Sequence, residues 1–304
     1  GSAAQERVVP AQLVANARAA EAAGFASAWV SHIPWSLDAL TALTLAAGAT
    51  ERIELGTAVV PPYPRHPLSL AQAALSVQAA SGGRLTLGIG PSHPYVIETM
   101  YGLTWDRPAH HTAEYVQAMR ACFATGPDDN IVSVDGDIFR FTSMLEVPGG
   151  SPVPILVAAL APRMLELTGR LADGTVTTWA DERAVADHVV PRIVKAAADA
   201  GRPAPRVVVN LPVAVVDDAD GARTRAAELF AAYEGVPTYH RVFERNQSPR
   251  PVDAALIGDE RTVADRIRRF GELGATDFLA TVLGLGDDPT ASRDRTFALL
   301  ASLL

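Results

Sequence analysis

Lysine is almost absent from this chain. Of 26 basic residues only Lys195 is a lysine, and it lies in the middle of a helical pattern, PRIVKAAADA, where a solvated side chain is expected. Schiff-base chemistry, pyridoxal phosphate and the phosphate-cradling P-loop all need a lysine in a pocket, so all three are set aside. Cysteine is as scarce. The single Cys122 closes no internal disulfide. It sits in the apolar-periodic segment 115–123 with no basic neighbour, so it reads as a buried thiol and not a nucleophile. No apolar run approaches the ~20 residues of a membrane span. No basic region followed by an apolar stretch opens the chain, and the expected location is the cytoplasm. The net charge is −8, with the basic residues scattered, which leaves no footprint for a phosphodiester polymer. Neither nucleic acid nor membrane is expected as a partner.

What is present is apolar and strongly periodic. The 304 residues are 48% hydrophobic and 20% charged, enough for a large core. They fit one barrel of strands and helices of roughly 250 residues plus insertions, so a single domain over 1–304 is expected. One grammar recurs in AEAAGFASAWV, QAASGGRLTLGIG, GRLADGTVTTWA and GELGATDFLATVLG: an Ala/Leu-rich helix ends near a glycine (Gly24, Gly83, Gly174, Gly274) and a β-rich run follows. Such runs read as strands buried on both faces, which implies a parallel sheet. Seven strands are predicted, at 27–33, 53–60, 85–90, 154–160, 175–179, 207–216 and 277–283. The fold class is α/β, a (β/α)8 TIM barrel whose first strand is either missing before the helix at 10–23 or represented by a stub at 7–9. Two insertions interrupt the alternation. The first, 91–150, carries a long helix and a hairpin, IVSVDGDIFRF, with Asp135-Gly136 as its turn. The second, 233–259, lacks periodicity. Insertions of this kind lie over the mouth of a barrel, where function collects.

The predicted strand ends are SHIPW, TAVVPPYPRHP, GIGPSHPY, VAALAP, TTWADE, AVVDDAD and VLGLGDDP, mostly small and apolar. A metal-dependent hydrolase needs converging ligands, but no His-x-His occurs, and adjacent His110 and His111 point about 100° apart on a helix. They are expected to be solvated or capping, and no metal is expected. Asp181, Asp217 and Asp287 sit in acidic clusters at helix starts, where capping outweighs a glycosidase reading. Gly88-Ile89-Gly90 lacks the third glycine of a dinucleotide fingerprint and lies inside a strand. The remaining slot of Gly, Ala, Val and Leu, edged by His, Trp and Tyr, suits a flat aromatic cofactor that brings its own reactivity. Phosphate would then be held by amides, either at Leu160-Ala161-Pro162 with Arg163 or at Gly284-Leu285-Gly286.

Five segments carry a specific resemblance: GFASAWVSH, IELGTAVVPPYPRHPLSLAQAALSVQAASGGRLTLGIGPSH, RPAHHTAEY, VPILVAALAPRMLELTGRLADGTVTTW and IGDERTVADRIRRFGELGATDFLATVLG. The chain resembles the luciferase-like monooxygenase superfamily, and within it the oxidoreductases that use the deazaflavin coenzyme F420. The resemblance implies hydride transfer at the deazaflavin C5 to or from a small organic substrate, with FMN and dioxygen as the alternative chemistry and loss of cofactor binding as a third. It implies a non-prolyl cis peptide at Ala58-Val59 behind the ring, Gly90 beside it, and a phosphate-binding turn at Leu160, Ala161 and Arg163. Arg65 would meet the acidic tail of the coenzyme. His32 and His93 are the implied proton donor or acceptor, although the Asp usual before His32 is absent and His93 stands where some relatives have Glu. Trp35 and Tyr63 would face substrate. A homodimer packed through LDALTALTLAAGA and LAQAALSVQAA is expected.

Overall fold

The computed structural model describes residues 8–126 and 128–304. The chain divides into two compact units: one of residues 8–159 with Glu166–Thr175, the other of Leu160–Leu165 with Val176–Leu304.

The first unit opens with α1 (Pro10–Ala22), whose proline fills the first helical position, where a missing N–H costs nothing. Gly24 follows at φ 88° and turns the chain into β1 (Ser27–Val30). Then come α2 (Ala39–Ala47), β2 (Glu54–Thr57), α3 (Pro67–Ala80) and β3 (Leu85–Ile89). Next are a π-helical stretch at Tyr95–Met100, α4 (Pro108–Phe123), the antiparallel hairpin β4 (Ile131–Asp135) and β5 (Arg140–Met144), and β6 (Ile155–Ala158). β1, β2, β3 and β6 are consecutive parallel neighbours, in register Ala28↔Leu55↔Leu85 and Leu87↔Ile155. β3 is buried at all five positions, the pattern of a strand covered on both faces. Trp29 lies over Gly56, where a Cβ would fall 2.2 Å from the indole.

The hairpin turn is longer than the two residues expected. Gly136 N–H donates to Phe139 O at 2.9 Å. The Glu114 carboxylate, reaching over from α4, accepts the amides of Asp137, Ile138 and Phe139 at 2.9, 2.8 and 3.1 Å. A tertiary clamp, rather than the turn sequence, sets the loop.

α5 (Pro162–Leu171) and β7 (Gly174–Thr178) follow β6. Within the first unit Thr175 Oγ1 donates to Val157 O at 2.8 Å. The second unit continues with the one-turn α6 (Glu182–Ala184), a π-helical stretch at Val185–Val189, α7 (Val190–Asp199) and the long β8 (Arg206–Val215). After these come α8 (Ala219–Glu234), α9 (Pro237–Phe243), α10 (Pro251–Ala254), β9 (Leu256–Gly258), α11 (Glu260–Glu272), β10 (Asp277–Val282) and α12 (Pro289–Ser302). β8 pairs in parallel with β10 (Asp277↔Val208) and, at its far end, with β9 (Val213↔Leu256).

All seven predicted strands are present, most of them shorter than the apolar runs. β9 lies in the stretch 233–259 that showed no periodicity, because three residues are too few to reveal a period. Of the proposed stub at 7–9, Arg7 lies outside the described residues, and Val8 and Val9 precede α1 without strand structure. Asp181 caps α6, as expected. Asp217 and Asp287 do not cap: the next residues, Asp218 and Asp288, take that role. The two predicted acids pair instead with Arg295 and Arg225.

Candidate active site

In the first unit the segment after β1 carries His32, and Asp38 caps α2. Asp38 Oδ1 accepts the Thr41 amide at 3.0 Å and its hydroxyl at 3.1 Å. Its Oδ2 is taken by the guanidinium of Arg65, brought in from the loop between β2 and α3. Burial opposes ionisation of Asp38, yet the Thr41 amide and Arg65 hold its carboxyl below the ordinary value. His32 Nδ1 accepts the Ala39 amide, the first of α2, at 3.3 Å. Burial, and then the Arg65 charge, lower the His32 imidazole, with Asp38 acting against them. At neutral pH the ring is uncharged.

Beyond β2 the Ala58-Val59 peptide is cis. Val59 fills the space over two glycines of the neighbouring strand: a Cβ at Gly90 would lie 2.7 Å from Val59 Cγ2 and 2.8 Å from Ala158 Cβ. At Gly88 a Cβ would meet the Thr57 carbonyl oxygen at 2.0 Å. The ends of β2 and β3 thus present closely approaching backbone without side-chain charge. His93 follows β3, after Ser92 at φ 63°, and its carbonyl accepts the Ile97 amide at 3.1 Å as the π-helical stretch opens. Burial lowers its imidazole as well.

Of the other predicted residues, Arg65 and Tyr63 make bonds within the protein's own structure. Arg65 binds Asp38 by its guanidinium and accepts the Tyr115 hydroxyl at its carbonyl, 3.0 Å away. Tyr63 stacks on His111 at 4.0 Å and 10° and donates to Asp106 O at 2.7 Å. Burial, aided by Asp106, raises its phenol to about 12. Trp35 stands 51% exposed.

The expectation for His110 and His111 holds for neither in full. His111 is 8% exposed, lies edge-on to Phe139 at 5.2 Å, and is pushed down to about 4 by burial. The helical rotation that separates the two rings turns one of them into the core. His110 stays half-exposed, with Nε2 3.4 Å from Glu114 and 3.5 Å from Asp137. These three groups bring ligand-type atoms within 4.8 Å of one another, but Glu114 is already the clamp of the hairpin turn.

In the second unit the turn Leu160-Ala161-Pro162 leads into α5, whose first helical bond runs from Leu165 N–H to Ala161 O at 3.0 Å. The amides before that bond point away from the helix, as at any helix start, and Arg163 is exposed. His188 Nε2 donates to Leu160 O at 2.7 Å, which pins the turn. In the alternative phosphate turn the Leu285 amide donates to Ser292 Oγ at 3.4 Å, and the Gly286 carbonyl accepts from Arg225 at 2.5 Å. Trp179, just past β7, was not singled out from the sequence. It takes a left-handed φ of 66° and is 2% exposed, and among the described residues its indole N–H has no partner. Phe230 and Tyr233 both lie 4.9 Å from its ring.

A family model for the luciferase-like monooxygenases matches residues 1–277, and the chain belongs to that family. It is 32% identical over 231 residues to a 5,10-methylenetetrahydromethanopterin reductase of Methanolobus tindarius, covering 76% of this chain and 69% of that protein. It is 33% identical over 234 residues to an F420-dependent glucose-6-phosphate dehydrogenase of Beutenbergia cavernae, covering 73% and 69%. Among solved structures, the coenzyme F420-dependent tetrahydromethanopterin reductase of Methanopyrus kandleri superposes with a TM-score of 0.77 at 23% identity, over 98% of this chain and 95% of that one. The oxygenating constituent of a Pseudomonas putida 3,6-diketocamphane monooxygenase, in complex with FMN, gives 0.74 at 18%, over 99% and 93%. The fold class is α/β, that of the luciferase-like TIM barrels.

Proposed function

We propose that this chain is a coenzyme F420-dependent oxidoreductase acting on a small organic substrate. The observation that carries the reading is the close, uncharged approach of the ends of β2 and β3, where the Val59 side chain packs over Gly88 and Gly90, together with a neutral, half-buried His32 in the segment after β1. A planar ring needs an uncharged, closely packed backing, and the absence of a Cβ at Gly90 is what lets the Val59 and Ala158 side chains pack that closely there. The names of the relatives support the choice of coenzyme. When bound, the deazaflavin supplies a hydride donor or acceptor at C5.

The protein's own residues bind and orient. Ala58 and Val59 back the ring with Gly90 beside them, and the amides of Leu160, Ala161 and Arg163 are the phosphate hold, where a helix start favours an anion. His32 and His93, both neutral at physiological pH, are the groups that hold a hydrogen bond to the reacting substrate, and Trp35 covers it. Arg65 and Tyr63 act one step further out, Arg65 through Asp38 and Tyr63 through His111. No helix among the described residues is long and apolar enough to cross a membrane, and the proposed setting is the cytoplasm, as a homodimer.

Fluorescence-monitored titration with F420 and, separately, with FMN tests the reading. Saturable F420 binding with weak or no FMN binding is expected. Tight FMN binding without F420 binding overturns it in favour of the flavin chemistry of the diketocamphane enzyme, and binding of neither coenzyme overturns it in favour of a family member without a cofactor.

A further inference from the structure

The hydrogen bonds around His32 fix which of its nitrogens carries the proton. Nδ1 accepts the Ala39 amide, and a ring nitrogen that accepts a hydrogen bond is unprotonated. The competing arrangement, Nδ1–H donating to Asp38, is disfavoured on three counts. The Nδ1 to Oδ2 separation is 3.6 Å, beyond hydrogen-bonding range. Both Asp38 oxygens are already engaged, Oδ2 by Arg65 and Oδ1 by Thr41. A protonated Nδ1 would also confront the amide of Ala39, a fully buried residue, donor against donor. Among the described residues no partner meets Nε2, and the side chain is only 10% exposed.

We propose that His32 presents an Nε2–H hydrogen-bond donor, locked in that tautomer by the first amide of α2, and that the substrate group it recognises is therefore an acceptor. Carbonyl or imine substrates fit. A hydroxyl waiting to lose its proton does not, because the neutral ring has no lone pair left at Nε2 to receive it. In the reduction of a carbonyl the hydride would go to its carbon, and the negative charge developing on its oxygen would be held by Nε2–H. The proton that completes the alcohol would come from solvent, so the ring keeps its own; this role rests on the oxidoreductase reading above. A helix N-terminus aimed at an imidazole is a known way to keep the ring neutral so that it polarises a carbonyl. Arg65 is a positioning residue here: by holding Asp38 Oδ2 it engages the one carboxylate that, among the described residues, comes near Nδ1, and its charge disfavours the imidazolium. Burial of the ring works in the same direction.

The experiment uses the full chain without coenzyme, labelled with 15N-histidine, in long-range proton–nitrogen correlation spectra near pH 7.5. The His32 signals are assigned by their disappearance in His32→Gln. A pyrrole-type Nε2 and a pyridine-type Nδ1 are expected. They are also expected in Asp38→Asn, which keeps a good capping side chain but removes the charge. An Nδ1–H tautomer or an imidazolium in the wild-type protein overturns the proposal, and a tautomer switch in Asp38→Asn overturns the assignment of the Ala39 amide as its cause. Because no coenzyme is present, the outcome is independent of F420 binding: the expected tautomer in a protein that fails to bind F420 rejects the F420-dependent reading and leaves the tautomer standing.

Discussion

Gly88→Ala is the sharpest test of the packing at the candidate site. The added Cβ would sit 2.0 Å from the Thr57 carbonyl oxygen and 3.2 Å from Val59 Cγ1, and a backbone atom cannot rotate out of the way as a side chain can. β2 and β3 would have to part at this point. Three contacts depend on their closeness: Thr57 Oγ1 donates to Gly88 O and accepts Gly88 N–H, both at 2.8 Å, and the Val60 amide donates to Gly88 O at 2.8 Å. Overpacking of a core costs about 1–3 kcal/mol, and losing two of these three hydrogen bonds while the third adjusts adds about 1 kcal/mol each. The expected loss is about 3–5 kcal/mol, against a typical total of about 5–15 kcal/mol. At about 2–4 °C per kcal/mol for a chain of this size, the midpoint falls by about 6–20 °C. The control is a second glycine of opposite sign. Gly271, exposed within α11, has nothing within 4 Å of an added Cβ, so Gly271→Ala is expected to stabilise by about 0.5–1 kcal/mol through helix propensity. Thermal and urea unfolding followed by far-ultraviolet circular dichroism measures both. A Gly88→Ala protein within about 1 kcal/mol of wild type refutes the packing argument, since that is the range of an ordinary substitution.

Two further predictions concern pH. Glu21 accepts the amides of Arg52 at 2.6 Å, Ile53 at 2.9 Å and Glu51 at 2.9 Å, and the first two in particular lower its carboxyl from 4.5 to about 2. A carboxylate depressed in the folded state stabilises above its unfolded value, and that contribution is lost as pH falls from 4.5 through about 2. Glu21→Gln should therefore lower the unfolding midpoint at pH 7, with the gap to wild type closing over that window; a gap independent of pH counts against the assignment. His111 is neutral in the folded state with an imidazole near 4, so its contribution is present above the ordinary value of 6.5 and is lost on acidification through about 4. His111→Phe keeps the stack on Tyr63 and removes Nδ1, which has no partner among the described residues. It is expected to match or exceed wild-type stability and to flatten the profile between pH 6.5 and 4 in denaturant titrations at fixed pH, and a loss above about 2 kcal/mol would show that the imidazole has a polar partner.

The sequence by itself determined the alternation of helix and strand, because that signal is local. Each helix end near Gly24, Gly83 and Gly274 is written in a residue that tolerates positive φ, and each buried strand in a run of apolar side chains. It also determined what the chemistry could not be, through a single lysine and a single cysteine. The family resemblance placed His32 and the Ala58-Val59 bond. Only the tertiary structure decided what these residues touch. Arg65 meets Asp38 from 27 positions away and Glu114 clamps a turn 23 to 25 positions on, and no local pattern encodes such a partner. The same holds for His111. Its neighbour shares its residue type and its helix, but which of the two rings enters the core depends on where Tyr63 and Phe139 arrive. The proton on His32 follows the same rule. The residue type permits either tautomer, and the choice falls to an amide that reaches Nδ1 only once α2 has formed against the end of β1.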